Sequence, residues 1–190
     1  DQLAALLKIA FSAPVFEDYS HPLFTFNAVA FDGDPAFGVG KKVVMGDGIM
    51  EAYRANGFRT MAENFILAHE YGHQIQFANG YFGPDAGTPE GTRRTELMAD
   101  AYAAYYMAHG RGGFLQPAVI TQFVKSAFAI GDCAFDNPNH HGTHNQRAAA
   151  ATFGGKLAER SGFIDTKLSS QEFFELFMEE YPNMIAPDAE

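Results

Sequence analysis

The stretch from Thr60 to Ala78, TMAENFILAHEYGHQIQFA, decides how this chain reads. Thr60 followed three residues later by Glu63 is a capping box, and Asn79-Gly80 supplies the stop, so one helix is expected over about 60–78. His69-Glu70-Tyr71-Gly72-His73 lies inside it. Residues four apart share a helical face, so His69 and His73 can bind one metal ion together. Glu70 stands beside them, where it can hold a water at the metal's open position and take its proton.

Two histidines do not complete a catalytic zinc site, and a third protein ligand is expected. A metzincin continuation would need glycine and histidine where Gln76 and Asn79 stand, so that source is excluded. Cys133, the single cysteine, lies in an apparent turn with no motif around it. The remaining source is the next helix, which starts at Thr88-Pro89-Glu90 and runs to about Gly110. There Glu96 is the candidate ligand, and Asp100 follows four residues later on the same face. One carboxylate can ligate while the other accepts the free ring N–H of a ligand histidine. The Leu97-Met98-Ala99 and Ala101–Ala104 surroundings look buried, and buried carboxylates need partners.

A peptide hydrolase also needs a donor for the oxyanion that develops at the scissile carbonyl. The run Asn139–Arg147 holds His140, His141 and His144, and Tyr102, Tyr105 and Tyr106 offer hydroxyls. His140 and His144 read as exposed polar residues at a helix N-terminus, and His21 and His109 as ordinary surface residues.

HEYGHQIQ, then TELMADAYAAYY, then HGTHNQR resembles the bacterial neutral zinc metallopeptidase family, whose members carry HExGHxxQ, ELxAD and HG-[ST]-x-x-QR in that order. The similarity covers about Glu63 to Phe153. It implies a gluzincin holding one zinc ion on His69, His73 and Glu96, with Glu70 as base and Asp100 behind a ligand histidine. It also implies His141 as an active-site donor and Arg147 as the holder of a carboxylate near the site. Members commonly have a cysteine where this chain has Ala101, and the N-terminal third follows the family pattern poorly.

The expected fold is α+β and zincin-like: a single metallopeptidase domain over 1–190, with a small N-terminal sheet, an active-site helix and a mainly helical second half. Strands are expected at Leu23–Phe31 and Lys42–Met45, with Asp32–Pro35 and Gly46–Gly48 as turns. Further helices are expected at Leu3–Ala10, Pro117–Ile130, His144 to Gly154 or beyond, and Ser170–Tyr181 behind a Ser169…Glu172 capping box. The reaction would be hydrolysis of a peptide bond in a peptide or protein substrate. A catalytically silent binding module of the same fold, and a zinc hydrolase of a non-peptide amide, stay open on the residues alone.

Composition narrows the partners. The 190 residues are 47% hydrophobic and carry a net charge of −10, which repels phosphate backbones and anionic lipid, so no nucleic-acid partner is expected. No apolar run is long enough to span a bilayer. GxSxG, Walker, CxxC and GxGxxG motifs are all absent. The chain begins at Asp1 rather than Met, and with the family resemblance this suggests an exported or anchored protein with an earlier segment removed.

Overall fold

A computed structural model describes residues 25–55, 57, 59–110, 112, 140–160 and 166–186. The helices expected at Leu3–Ala10 and Pro117–Ile130, and the residues His21 and Cys133, lie outside the described residues. What is described is mixed α+β and mostly helical: five helices and one two-stranded antiparallel sheet.

The hairpin comes first. Strand β1 (Ala28–Phe31) pairs antiparallel with β2 (Lys42–Met45), Ala28 opposite Met45 and Phe31 opposite Lys42. β2 has its expected bounds, whereas β1 covers only Ala28–Phe31 of the expected Leu23–Phe31 run, whose first two residues lie outside the described residues. The reason is local: the Asn27 side-chain oxygen accepts the Ala28 N–H at 2.9 Å, while Thr25 is helical and Phe26 lies in a turn. Between the strands, Asp34 caps a 3-10 turn over Pro35–Phe37, its carboxylate accepting from the Ala36 N–H at 2.8 Å. After β2 the expected Gly46–Gly48 turn is instead the entry to helix α1 (Asp47–Ala55). Asp47 in the first turn places negative charge at the positive end of the helix dipole.

Helix α2 (Arg59–Asn79) carries the two histidines, and it leads through residues 80–88 to α3 (Pro89–Ala108). Glu63, expected to cap α2, pairs with Arg54 of α1. Thr88 does cap α3, its hydroxyl accepting from the Gly91 N–H at 3.1 Å, with Pro89 in the first turn. The connecting loop is fastened by Arg94, which donates to both oxygens of Asp85 (2.5 and 2.6 Å) and to the Phe82 carbonyl (2.7 Å). Helix α4 (His144–Arg160) follows, then α5 (Ser170–Ile185), which begins with the expected Ser169/Glu172 capping box.

α3 is the centre of the assembly. It packs against α2 and α4, with α5 reaching both α3 and α4. Leu97, Met98, Ala101 and Tyr102 of α3 share one apolar core with Leu157 of α4 and Phe173, Phe177, Tyr181 and Met184 of α5. The Tyr102 and Phe173 rings stack there at 3.9 Å between centroids. An isolated hairpin is marginal in water. This one lies against α2, where the Gln74 amide donates to the carbonyls of Phe31 (3.1 Å) and Lys42 (3.2 Å).

Two glycines set how closely the helices approach. A Cβ on Gly72 of α2 would stand 3.0 Å from the Ala99 Cα of α3, so those backbones nearly touch. On Gly154 of α4 it would stand 2.0 Å from the Ala101 carbonyl oxygen, an overlap only backbone movement relieves. Alanine ordinarily gains about 1 kcal/mol over glycine inside a helix. Gly154→Ala is nevertheless expected to destabilise by about 1–3 kcal/mol, read as a lower urea midpoint. An unchanged or raised midpoint would mean that α3 and α4 do not meet at this point.

Candidate metal centre

The site is built from helices, not loops. His69 and His73 project from one face of α2, and Glu96 and Asp100 from the facing side of α3, with Gly72 allowing the two axes to come close. His69 Nε2 lies 3.1 Å from His73 Nε2, and the rings meet edge to face. The Glu96 carboxylate spans both, with Oε2 3.2 Å from His69 Nε2 and Oε1 3.4 Å from His73 Nε2. One ligand atom from each of the three residues thus falls within 4.8 Å of the others, a group that could hold a metal ion.

Behind His69 stands a buried ion pair. His69 Nδ1 is 2.8 Å from Asp100 Oδ1, and Arg147 of α4 grips the same carboxylate twice, Nε to Oδ2 at 2.8 Å and Nη2 to Oδ1 at 2.7 Å. Asp100 is 0% exposed and Arg147 3%, so this fork-to-fork pair has almost no water to compete with it. Behind His73, Nδ1 lies 2.8 Å from the Gln76 side-chain oxygen. Glu70, one residue on from His69, is also buried.

These donors fit a metal ion chemically. An ionised Asp100 only accepts, so His69 Nδ1 carries the hydrogen and donates, and its Nε2 lone pair points at the shared space. A carboxylate and a second ring nitrogen point there too. Without a cation, a proton must do the same work. Burial pushes His69 down, but the hydrogen bonds and charges of Asp100 and Glu96 outweigh it, and its pKa is raised to about 10. At His73, burial and the nearby His69 charge oppose protonation, yet the Glu96 carboxylate still holds the ring above its ordinary value. Burial raises Glu96, and the two histidines pull it well below the usual carboxylate range. Asp100 is likewise raised by burial and lowered overall by Arg147 and His69.

The structure brings His69, His73, Glu96, Asp100 and Arg147 into one contiguous array. His141 is outside the group of convergent ligand atoms: it is exposed in residues 140–143, just before α4. That segment nonetheless abuts α3 at Leu97, since a Cβ on Gly142 would stand 2.9 Å from Leu97 Cδ2. Two surface expectations are corrected. His140, in the segment ahead of α4, is 1% exposed, and His109, which caps the end of α3 with its ring 5.4 Å from that of Tyr105, is 3% exposed. Sequence reasoning missed Gln76 and Gln74 as fixtures. The available signal was spacing, since Gln76 stands three residues after His73 and so on its face of the helix.

No protein-family model matches the chain, and neither a curated protein nor a solved structure does.

The raised pKa of His69 has a direct consequence for the metal-free protein. A folded value near 10 against about 6.5 unfolded means the proton's stabilisation is complete below pH 6.5 and is lost as pH rises through 10. Urea titrations of metal-free protein are expected to show stability falling by several kcal/mol, to order of magnitude, across that window. His69→Gln should make the profile shallower, with His73 leaving a residual slope of the same sign, and a wild-type profile already flat would contradict the described contacts.

Proposed function

We propose that this chain is a zinc metallopeptidase of zincin-like fold, a gluzincin akin to the bacterial neutral zinc metallopeptidases its motifs resemble. One observation carries the reading: two imidazole nitrogens four residues apart on α2 and a carboxylate from α3 converge on a single point, with Asp100 and Arg147 wired behind them. Structural zinc sites are closed and usually sulfur-rich, whereas three nitrogen and oxygen ligands leave a position open for water and substrate.

In this reading His69, His73 and Glu96 hold the ion, and Asp100 fixes the His69 ring so that Nε2 faces it. Zinc bound there supplies a Lewis acid for the scissile carbonyl and lowers the pKa of its water towards about 7. Glu70 accepts the proton as the nucleophile attacks and returns it to the leaving amine. His141, on the segment that abuts Leu97, donates to the developing oxyanion. The acidic chain, net −10, favours cationic or neutral peptides over acidic ones.

The test is digestion of a quenched-fluorescent peptide library by wild type and Glu70→Gln, each loaded with zinc to equal measured stoichiometry. Cleavage by wild type and a loss of about 10²- to 10⁴-fold in the variant, with zinc retained, is the expected result. Full zinc occupancy without cleavage by wild type would overturn the peptidase reading in favour of a silent binding module or a non-peptide amide hydrolase.

A further inference from the structure

The two histidines are backed by different chemistry. Behind His69 stands an anion, Asp100, neutralised by Arg147. Behind His73 stands a neutral amide, Gln76, completely buried. The Gln76 amide has a defined orientation, because its nitrogen donates to the main-chain carbonyl of Thr95 at 2.7 Å. Its oxygen must therefore be the atom facing His73 Nδ1. An amide oxygen only accepts, so Nδ1 of His73 carries hydrogen and Nε2 presents a lone pair towards His69 Nε2 and Glu96.

We propose that Gln76 is a positioning residue for the metal, acting through His73: it selects the imidazole tautomer that leaves Nε2 free to ligate, and it locks that ring against α3. This rests on the zinc reading above. The Thr95 carbonyl, the Glu96 carboxylate and the Asp100 carboxylate are three groups of one helical stretch. Through Gln76 the first orients His73, the second is the shared ligand, and the third orients His69. α3 therefore presents a ligand and sets both of the others. Using an amide rather than a second carboxylate behind His73 also keeps the ligand shell from gaining another buried negative charge, which leaves more of the ion's positive charge for polarising substrate.

If Gln76 merely filled space, a residue of similar volume would serve. Gln76→Met keeps volume and removes both the acceptor and the donor. Zinc affinity of full-length wild type and variant is measured by competition with a chromophoric chelator, and the ring Nδ1–H resonance of His73 is followed by NMR in the zinc-loaded proteins. The expected result is 10- to 100-fold weaker zinc binding in Gln76→Met, with the slowly exchanging His73 Nδ1–H signal broadened or lost. Gln76→Glu, which retains an acceptor for Nδ1 but loses the donor to the Thr95 carbonyl, should bind zinc more tightly than Gln76→Met and less tightly than wild type. Should Gln76→Met fail to fold, Gln76→Asn withdraws the acceptor by one methylene and carries the same expectation. Affinity within threefold of wild type in a folded acceptor-less variant, with the Nδ1–H signal unchanged, overturns the inference alone. Wild-type protein that binds no zinc overturns the metal reading and the inference together.

Discussion

The Asp100–Arg147 pair is the contact on which the arrangement of helices depends. It joins α4 to α3 through two hydrogen bonds, and Asp100 in turn reaches His69 on α2, so three helices meet at one carboxylate. Burying two charges costs several kcal/mol per ion before any attraction is counted. The desolvation is offset only because three hydrogen bonds converge on Asp100, and because both charges are present. Removing either one would strand the other in the interior, which typically costs about 3–5 kcal/mol. Such a pair is poor value as plain stabilisation. It makes better sense as a register device: the guanidinium fork fits its carboxylate in one geometry, and that geometry fixes the orientation of a ring on a third helix.

Small residues make the rest of the geometry possible. Ala99, Ala101, Ala103 and Ala104 are all essentially unexposed, so α3 is surrounded by neighbours that approach its main chain. Gly72 meets it at Ala99 and Gly154 meets it at Ala101. Larger side chains would push the axes apart and carry the ring nitrogens away from Glu96. Bulk is supplied instead by Leu97, Met98 and Tyr102, which pack with the α5 aromatics.

Much of this was legible in the sequence, and the failures have physical causes. Long helices with sharp caps were readable: Thr88-Pro89 and Ser169…Glu172 each satisfy orphan N–H groups in the way their residue types suggest. That His69, His73, Glu96 and Asp100 would meet followed from two four-residue spacings and from carboxylates set among buried alanines. Short elements were not readable. β1 was overextended because Phe-rich composition says nothing of Asn27 bonding its neighbour, and α1 was lost because Asp-Gly looks like a turn until later residues make it a helix start. His109 and His140 were misplaced because polarity alone does not show where a helix end is buried. Gln76 and Gln74 went unread as fixtures since each acts on a main-chain carbonyl of a different element, Thr95 for one and Phe31 with Lys42 for the other. Helical spacing sets Gln76 beside His73, but no periodicity encodes a main-chain partner on another element.

The near-contact of main chains at Gly72 and Ala99 has a consequence for partly denatured states. Every group that meets at the site is carried by a helix, and the helices can persist when their docking is lost. A swollen form, expanded by even an ångström or two between α2 and α3, would keep its far-ultraviolet helical signal while His69, His73 and Glu96 no longer faced a common point. The site thus reports on tight tertiary packing and not on secondary structure. Helix content alone would count as native many molecules in which it had already come apart.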